Sequence, residues 1–217
     1  MLMLRITKSL FIAGALALAS LSASATQWEE GKHYTEFESL PKTEKPQIVE
    51  FFSVFCPACY NLEANRQILE QHLPSGIEKH RIHVNFLRGT DEQGLNAIAK
   101  AVALGKVYPE IADDLIWNLF TQVHERKVKL KEHDVTRTIG LFQDRTEANL
   151  HEAYDSFRVR SIARKMPSIQ RMAMREGMLK GVPTMVINGR YRINFDQLDP
   201  NNFFEELGEL VDYLTQL

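Results

Sequence analysis

The feature that most constrains this chain is a strand pattern that runs directly into its only two cysteines. The segment 47–53 is rich in β-branched and aromatic residues, which predicts a strand. Cys56 and Cys59 follow it, separated by Pro57 and Ala58, and leucines recur at helical spacing after them. Pro57 suits the first position of a helix, where its missing N–H costs nothing. The sequence therefore predicts a strand, a turn and a helix whose first turn carries both thiols.

The positions of the two thiols on that helix predict their chemistry. Cys56 stands at the helix start, where free backbone N–H groups and the positive end of the helix dipole stabilise a thiolate. A stabilised thiolate lowers the pKa of Cys56 and favours the dithiol, which makes the Cys56–Cys59 disulfide a stronger oxidant. We therefore predict a redox-active Cys56–Cys59 disulfide, with Cys56 as the sulfur atom that other thiols attack.

The first 25 residues predict export. Arg5 and Lys8 precede an apolar run that is too short to span a bilayer, and small residues end at Ala25. Cleavage after Ala25 would begin the mature chain at Thr26, and an uncleaved anchor is the alternative. Export places the two cysteines in an oxidising compartment.

Other uses of the two cysteines have less support. A purely structural bridge would close so short a loop that it would constrain the unfolded chain little. A zinc site needs about four ligands, and neither a second cysteine pair nor a spaced histidine pair near Cys56 completes one. Two permanently reduced, buried cysteines would be unusual in an exported protein. We therefore predict no metal site and no cofactor.

The remaining pattern predicts an α/β fold with an all-helical insertion. A strand at 81–87 completes a βαβ unit with parallel strands, and a short first strand lies within 28–40. Asn188 and Gly189 separate two short strands as a type I′ hairpin, and an amphipathic helix closes the chain. The predicted parts are an α/β domain (26–89 and 181–217) and an inserted helical subdomain (90–180). The helical segments of the insertion are 96–104, 109–126, 135–142 and 146–165, and Pro167 should end or kink a helix.

Two carboxylates stand where a charge needs an explanation. Glu50 interrupts the apolar run of the central strand, and Glu63 lies four residues after Cys59 on the same helical face. A partly buried carboxylate has a raised pKa and can relay the proton that Cys59 loses when it attacks a mixed disulfide. We predict this role for Glu50 and Glu63, with a solvated helix residue as the alternative for Glu63.

A second candidate element is the run Gly181, Val182, Pro183 and Thr184. A proline that opens a strand is awkward unless it serves a special turn, and a cis Val182–Pro183 bond is one such use. The fold must bring this loop beside Cys56, which the sequence alone does not show.

With these motifs in place, the chain resembles the DsbA family of periplasmic thiol:disulfide oxidoreductases across essentially its whole mature length. The segments that carry the resemblance are WEEGK at 28–32, VEFFS at 49–53, CPACY at 56–60, HVNF at 83–86 and GVP at 181–183. The resemblance implies a thioredoxin fold with a helical insertion and a monomer located in the periplasm. It also implies unfolded exported proteins as substrates and reoxidation by a quinone-linked, DsbB-like protein of the inner membrane.

The resemblance also assigns roles to residues. Cys56 becomes the nucleophile and Cys59 the resolving thiol, while Glu50 and Glu63 match acidic positions implicated in proton handling. Pro183 becomes a cis-proline opposite the active site, and the backbone of Val182 pairs with substrate. The implied substrate-binding set also includes Thr184, Pro57 and Ala58, beside an apolar groove.

The chain departs from the family pattern at two positions. Ala58 stands where the best-known members have histidine, so we predict a higher Cys56 pKa and a less oxidising protein. Arg81 stands about where the family often has lysine, and an arginine cannot exchange its proton.

Three functions remain open on the sequence alone. The leading hypothesis is an oxidase that donates its CPAC disulfide to exported proteins through a mixed disulfide at Cys56. The alternatives are a periplasmic reductase or isomerase, and a peptide-binding or chaperone-like module with no catalysis. A formal net charge of −2 argues against nucleic acid as a partner.

Overall fold

The computed structural model describes residues 27–217, so the predicted signal peptide and its cleavage site lie outside the described residues. A single five-stranded sheet has the order β1-β5-β4-β2-β3. Its strands are β1 (Tyr34–Glu36), β2 (Gln47–Phe52), β3 (Glu78–His83), β4 (Thr184–Ile187) and β5 (Tyr191–Ile193). The central strand β2 pairs parallel with β3 and antiparallel with β4, which confirms the predicted parallel unit.

Eight α-helices lie within the described residues. They are α1 (Pro57–Ala64), α2 (Arg66–His72), α3 (Glu92–Val107), α4 (Pro109–His124), α5 (Glu132–Gly140), α6 (Leu150–Tyr154), α7 (Phe157–Arg175) and α8 (Phe203–Gln216). Five of them, α3 to α7, fall between β3 and β4, which confirms an all-helical insertion between the βαβ and ββα halves. The exact domain boundaries stay a prediction.

Two apolar clusters fill the interior. One lies between the sheet and α8, and its members include Ile48, Leu69 and Leu210. The other joins the end of β2 to the insertion, and both Cys56 and Cys59 belong to it. The active-site helix therefore lies at the junction between the sheet and the inserted helices.

The hairpin agrees with its local sequence prediction, and one helix departs from its own. Asn188 and Gly189 have positive φ angles of 51° and 69°, which confirms the predicted type I′ turn. Pro167 was predicted to end or kink a helix. It does not end α7, which continues through it to Arg175, and the kink stays a prediction. Met166 and Gln170 flank the proline and are buried, and packing of α7 on α3 and β3 offsets the lost backbone hydrogen bond.

Three other boundaries differ from the prediction. The helix after the cysteines is two helices, because Asn65 adopts a non-helical conformation between α1 and α2. The third strand lies earlier, at 78–83, because the Asn85 N–H donates to the side chain of Gln170 rather than to a neighbouring strand. The segment 146–165 is divided before α7, whose N-cap Ser156 accepts from the Val159 N–H.

Candidate active site

The two cysteines occupy the start of α1, as the sequence predicts. Cys56 is the N-cap residue, and its Sγ accepts a hydrogen bond from the Cys59 N–H at 3.2 Å. Pro57 is the first helical residue, and Pro57 and Ala58 are exposed. Both cysteines are thiols, so the structure represents the dithiol form. Cys56 is only 6% exposed and Cys59 only 2%.

The surroundings of the two thiols move their pKa values in opposite directions. A hydrogen bond from the Cys59 thiol, with help from the N–H groups of Cys59 and Ala58, lowers the pKa of Cys56 to about 6 against the opposing effect of burial. The same hydrogen bond, burial and the charge of Glu50 raise the pKa of Cys59. The lowered pKa of Cys56 was predicted, but its largest cause is the partner thiol rather than the helix terminus. At neutral pH the pair holds one thiolate and one proton.

The second predicted element lies beside Cys56. The Val182–Pro183 peptide bond is cis, which confirms that prediction. The carbonyl oxygen of Val182 lies 3.3 Å from Cys56 Sγ and accepts a hydrogen bond from it when Cys56 is protonated. Thr184 Oγ1 donates to the carbonyl of Gly181 at 2.8 Å and so closes the loop before β4 begins. The fold thus brings together two motifs that are 126 residues apart.

An apolar groove of about 440 Å³ runs from Ala58 and Pro183 along the surface. Its far wall is aromatic: the rings of Phe195 and Phe203 lie edge to face at 5.8 Å, and those of Phe203 and Phe204 at 5.2 Å. The resemblance implied an apolar groove, but Phe203 and Phe204 were predicted only as part of an amphipathic helix. The structure shows that these adjacent, partly exposed residues at the start of α8 form the wall of the groove.

The predicted carboxylates lie in a buried network of four charges. Glu50 on β2 and Glu63 on α1 are 4% and 5% exposed. Arg66 Nη2 donates to both oxygens of Glu50, at 2.9 and 2.7 Å, and to Glu63 Oε2 at 2.9 Å. Arg81 donates to the two oxygens of Glu63 at 3.2 and 2.5 Å. The fold therefore brings Glu50 and Glu63 together, and it adds Arg66, which the sequence analysis missed.

This network corrects one expectation. Burial alone would raise the pKa of Glu50, but the charges of Arg66 and Arg81, together with the hydrogen bonds from Arg66, outweigh burial and lower it. The prediction of a raised pKa is therefore wrong for Glu50. The physical reason is that two arginines from different elements, α2 and β3, meet at one carboxylate.

Two histidines hold the turn that precedes Cys56. The Val54 N–H donates to His83 Nε2 at 3.2 Å, and the Val54 carbonyl lies 2.9 Å from His124 Nε2. Burial lowers the pKa of His83 to about 3, so its ring stays neutral and can accept this bond. The ring of Tyr60 stacks between those of His124 and Trp117, at 4.7 and 5.4 Å. These contacts fix the active-site turn to strand β3 and to helix α4 of the insertion.

Within residues 27–217, no helix is long and apolar enough to cross a membrane. In the same range, no group of three or more His, Cys, Asp or Glu side chains is arranged to hold a metal ion.

Fold and site together define a class of protein. An acidic thiol at a helix start, a less acidic partner three residues later and an adjacent cis-proline are the elements of a dithiol–disulfide oxidoreductase with a thioredoxin fold. A family model described as Thioredoxin matches residues 42–212.

Comparison with known proteins gives the particular family. The chain is 33% identical to the thiol:disulfide interchange protein DsbA of Escherichia coli K12, covering 96% of this chain and 99% of that protein. It is 30% identical to the DsbA of Pectobacterium carotovorum, covering 95% and 98%. The crystal structure of the disulfide oxidoreductase DsbA from Proteus mirabilis is similar, with a TM-score of 0.68, 26% identity, and coverage of 88% of this chain and 98% of that one. The chain belongs to the DsbA family and is a protein disulfide oxidoreductase.

Proposed function

We propose that this protein donates its Cys56–Cys59 disulfide to the cysteines of newly exported proteins. The observation that carries the proposal is the opposite shift in the pKa values of Cys56 and Cys59 beside the Val182 carbonyl. A substrate thiolate attacks Cys56 Sγ, the Cys56–Cys59 bond breaks, and its electron pair leaves on Cys59, which takes up a proton. A second substrate thiolate then attacks the substrate sulfur of the mixed disulfide, and Cys56 leaves as a thiolate. Two electrons pass from substrate to protein.

Substrate binding uses the loop and the groove beside Cys56. The backbone of Val182 pairs with an extended substrate segment, while Pro183, Thr184, Pro57 and Ala58 border the sulfur that reacts. The aromatic groove receives an apolar side chain of the unfolded substrate. A related structure supports this assignment: a P. mirabilis DsbA variant with a non-covalently bound peptide, PWATCDS, has a TM-score of 0.71 and 26% identity to this chain.

Reoxidation completes the cycle, and we assign it to a DsbB-like protein of the inner membrane. The Cys56 thiolate attacks a disulfide of that partner, Cys59 loses its proton and attacks Cys56 Sγ, and the partner leaves as a dithiol. Glu50, with Glu63 beside it, handles the proton of Cys59, since an ionised carboxylate accepts a proton. The protein works as a monomer in the periplasm after cleavage of residues 1–25.

Equilibration with glutathione tests the oxidase proposal, because it measures the reduction potential of the Cys56–Cys59 pair. We expect a potential clearly more oxidising than that of thioredoxin, about −270 mV. A potential as reducing as that of thioredoxin would refute it and favour a periplasmic reductase or isomerase. The reductase or isomerase stays an alternative because Ala58 offers no charge to stabilise the Cys56 thiolate. A chaperone-like module is tested by Cys56→Ser, which should leave client disulfide formation unchanged if that reading is right.

A further inference from the structure

The buried network around Glu50 pairs its charges unevenly. Arg66 gives Glu50 two hydrogen bonds, one to each carboxylate oxygen, and also donates to Glu63 Oε2 at 2.9 and 3.3 Å. Arg81 gives its aligned hydrogen bonds to Glu63. Its Nε lies 3.2 Å from Glu50 Oε2 but has no hydrogen-bond partner of adequate geometry among residues 27–217. Arg66 is therefore the side chain that holds Glu50, while Arg81 chiefly holds Glu63.

The network is electrically balanced only while both arginines are present. Two carboxylates meet two guanidinium groups, and burial makes any unpaired charge costly. The outer acids do not replace a missing arginine: Glu70 is 4.0 Å from Arg66 and Asp113 is 3.8 Å from Arg81, and both are themselves negative. Besides these, the titratable or charged groups that face the network are Cys59 on α1, Lys79 and His80 on β3, and Lys106 on α3.

We propose that Arg66 is the positioning residue that keeps Glu50 ionised, and so able to accept the Cys59 proton, throughout the neutral pH range. This inference rests on the proposed function, in which Cys59 loses a proton during reoxidation. In that step the proton passes from the Cys59 thiol to Glu50, the Cys59 electron pair forms the bond to Cys56 Sγ, and the partner thiolate leaves. The lowered pKa of Glu50 agrees with the geometry.

We assign the route of the proton out of the site to a cavity that Glu50 borders. A cavity of about 380 Å³ is lined by Glu50 and Arg66 and extends to Lys79 and Asp113, whose side chains are 40% and 70% exposed. Glu50 borders this cavity, and its charge also acts on Cys59. Without Arg66, one guanidinium group would face two carboxylates, and the network would take up one proton. Glu50 would hold that proton, because it would have lost both of its hydrogen bonds, and could no longer accept one from Cys59.

Infrared spectroscopy of Arg66→Met tests this directly, because a protonated carboxyl group has its own carbonyl stretching band. Near pH 7 we expect that band in Arg66→Met but not in the wild type. It should be absent from Arg66→Met/Glu50→Gln and from Arg66→Lys, which retains the charge. Arg190→Met is the matched control, since Arg190 pairs with Glu36 at 2.8 Å on the β1–β5 side of the sheet. A Glu50-dependent band in the wild type, or none in Arg66→Met, would overturn the proposal.

The pH profile of the resolving step gives a readout that a merely structural role would not move. Reduced protein is mixed with oxidised glutathione, and release of the second glutathione reports the attack of Cys59. We expect Arg66→Met to slow this step about tenfold for each unit by which the pKa of Glu50 exceeds the pH. The rate should approach that of the wild type as the pH rises. A profile parallel to that of the wild type would contradict the inference.

Poor folding of Arg66→Met would still leave a test. We expect Arg66→Met to gain stability as the pH falls, and Arg66→Met/Glu50→Gln to be the more stable of the two near pH 7, because it carries no excess buried anion. The reverse order would contradict the inference. A failure of the proposed function looks different: the wild type would not oxidise substrate thiols, whatever the state of Glu50.

Discussion

Cys56 and Cys59 lie three residues apart but face two different kinds of surroundings. Cys56 adjoins a carbonyl oxygen, backbone N–H groups and an open aromatic groove, all of them uncharged. Cys59 is turned inward, and its hydrogen bond with Cys56 and its burial raise its pKa, with a smaller contribution from the charge of Glu50, which buried arginines hold. The uncharged surroundings of Cys56, called the neutral side below, can receive many substrates, because they bind through backbone and apolar contacts. We propose that the charged side, which is the buried network of Glu50, Glu63, Arg66 and Arg81, does not meet the substrate and instead controls one proton. Substitutions on the two sides should therefore have different effects.

The largest effect should come from removing either of the two thiols. Cys56→Ser should abolish oxidation of a dithiol peptide, because no sulfur remains for the substrate to attack. In Cys59→Ser a disulfide-containing peptide should instead remain attached to Cys56, because the resolving thiol is missing. Mass spectrometry of the protein after reaction distinguishes these outcomes. A stable adduct at Cys59 in Cys56→Ser would show that the two sides are interchangeable.

A smaller but substantial effect should follow from removing Glu50, the central carboxylate of the charged side. Glu50→Ala leaves a buried guanidinium group with one carboxylate fewer, which we expect to cost about 3 kcal/mol of unfolding free energy. The matched control is Glu36→Ala, which breaks the more exposed pair with Arg190 and should cost about 1 kcal/mol or less. Urea unfolding measures both values. Equal costs would mean that the buried network has no special role in stability.

The neutral side should respond to loss of an aromatic ring in the groove. Phe203→Ala should weaken the binding of an apolar, cysteine-free peptide about tenfold, because one wall of the groove is lost. The control is Phe157→Ala on α7, a ring that is 77% exposed and lies outside the groove. Calorimetric titration of the two variants measures the difference. A larger loss of affinity in Phe157→Ala would place the peptide elsewhere.

The smallest effect should come from placing a charge on the neutral side. Ala58→His should lower the pKa of Cys56 by roughly one unit, because an imidazolium group stabilises the thiolate. The reduction potential should then rise by about 30 mV. The glutathione equilibrium measures the potential. An unchanged potential would show that the residue between the cysteines does not set the oxidising power of this protein.

Local signals were enough to predict the neutral side. The strand at 47–53, the proline at the helix start and the Asn188–Gly189 turn each follow from a few adjacent residues, and the structure confirms them. The cis bond before Pro183 was predicted for the same reason. Its position beside Cys56 depends on the pairing of β2 with β4, and the resemblance to the DsbA family supplied that expectation.

The charged side depends on contacts between distant segments, so the sequence revealed less of it. Glu50 was recognisable because it interrupts an apolar strand, but Arg66 looked like an ordinary helix residue. Only the break at Asn65 and the packing of α2 near β2 and β3 direct its side chain to Glu50. The expected rise in the pKa of Glu50 was wrong for this reason. The continuation of α7 through Pro167 was missed in the same way, because tertiary packing outweighed a local signal.

The central claim is that the two thiols of the reduced protein titrate far apart, and a thiolate titration by ultraviolet absorbance tests it most directly. We predict that one thiolate appears with a midpoint near pH 6, and that Cys56→Ser removes it while Cys59→Ser leaves a single thiolate with a higher midpoint. The second thiol should remain protonated well beyond the ordinary cysteine range. A first midpoint near 9, or two thiolates appearing together, would contradict the account.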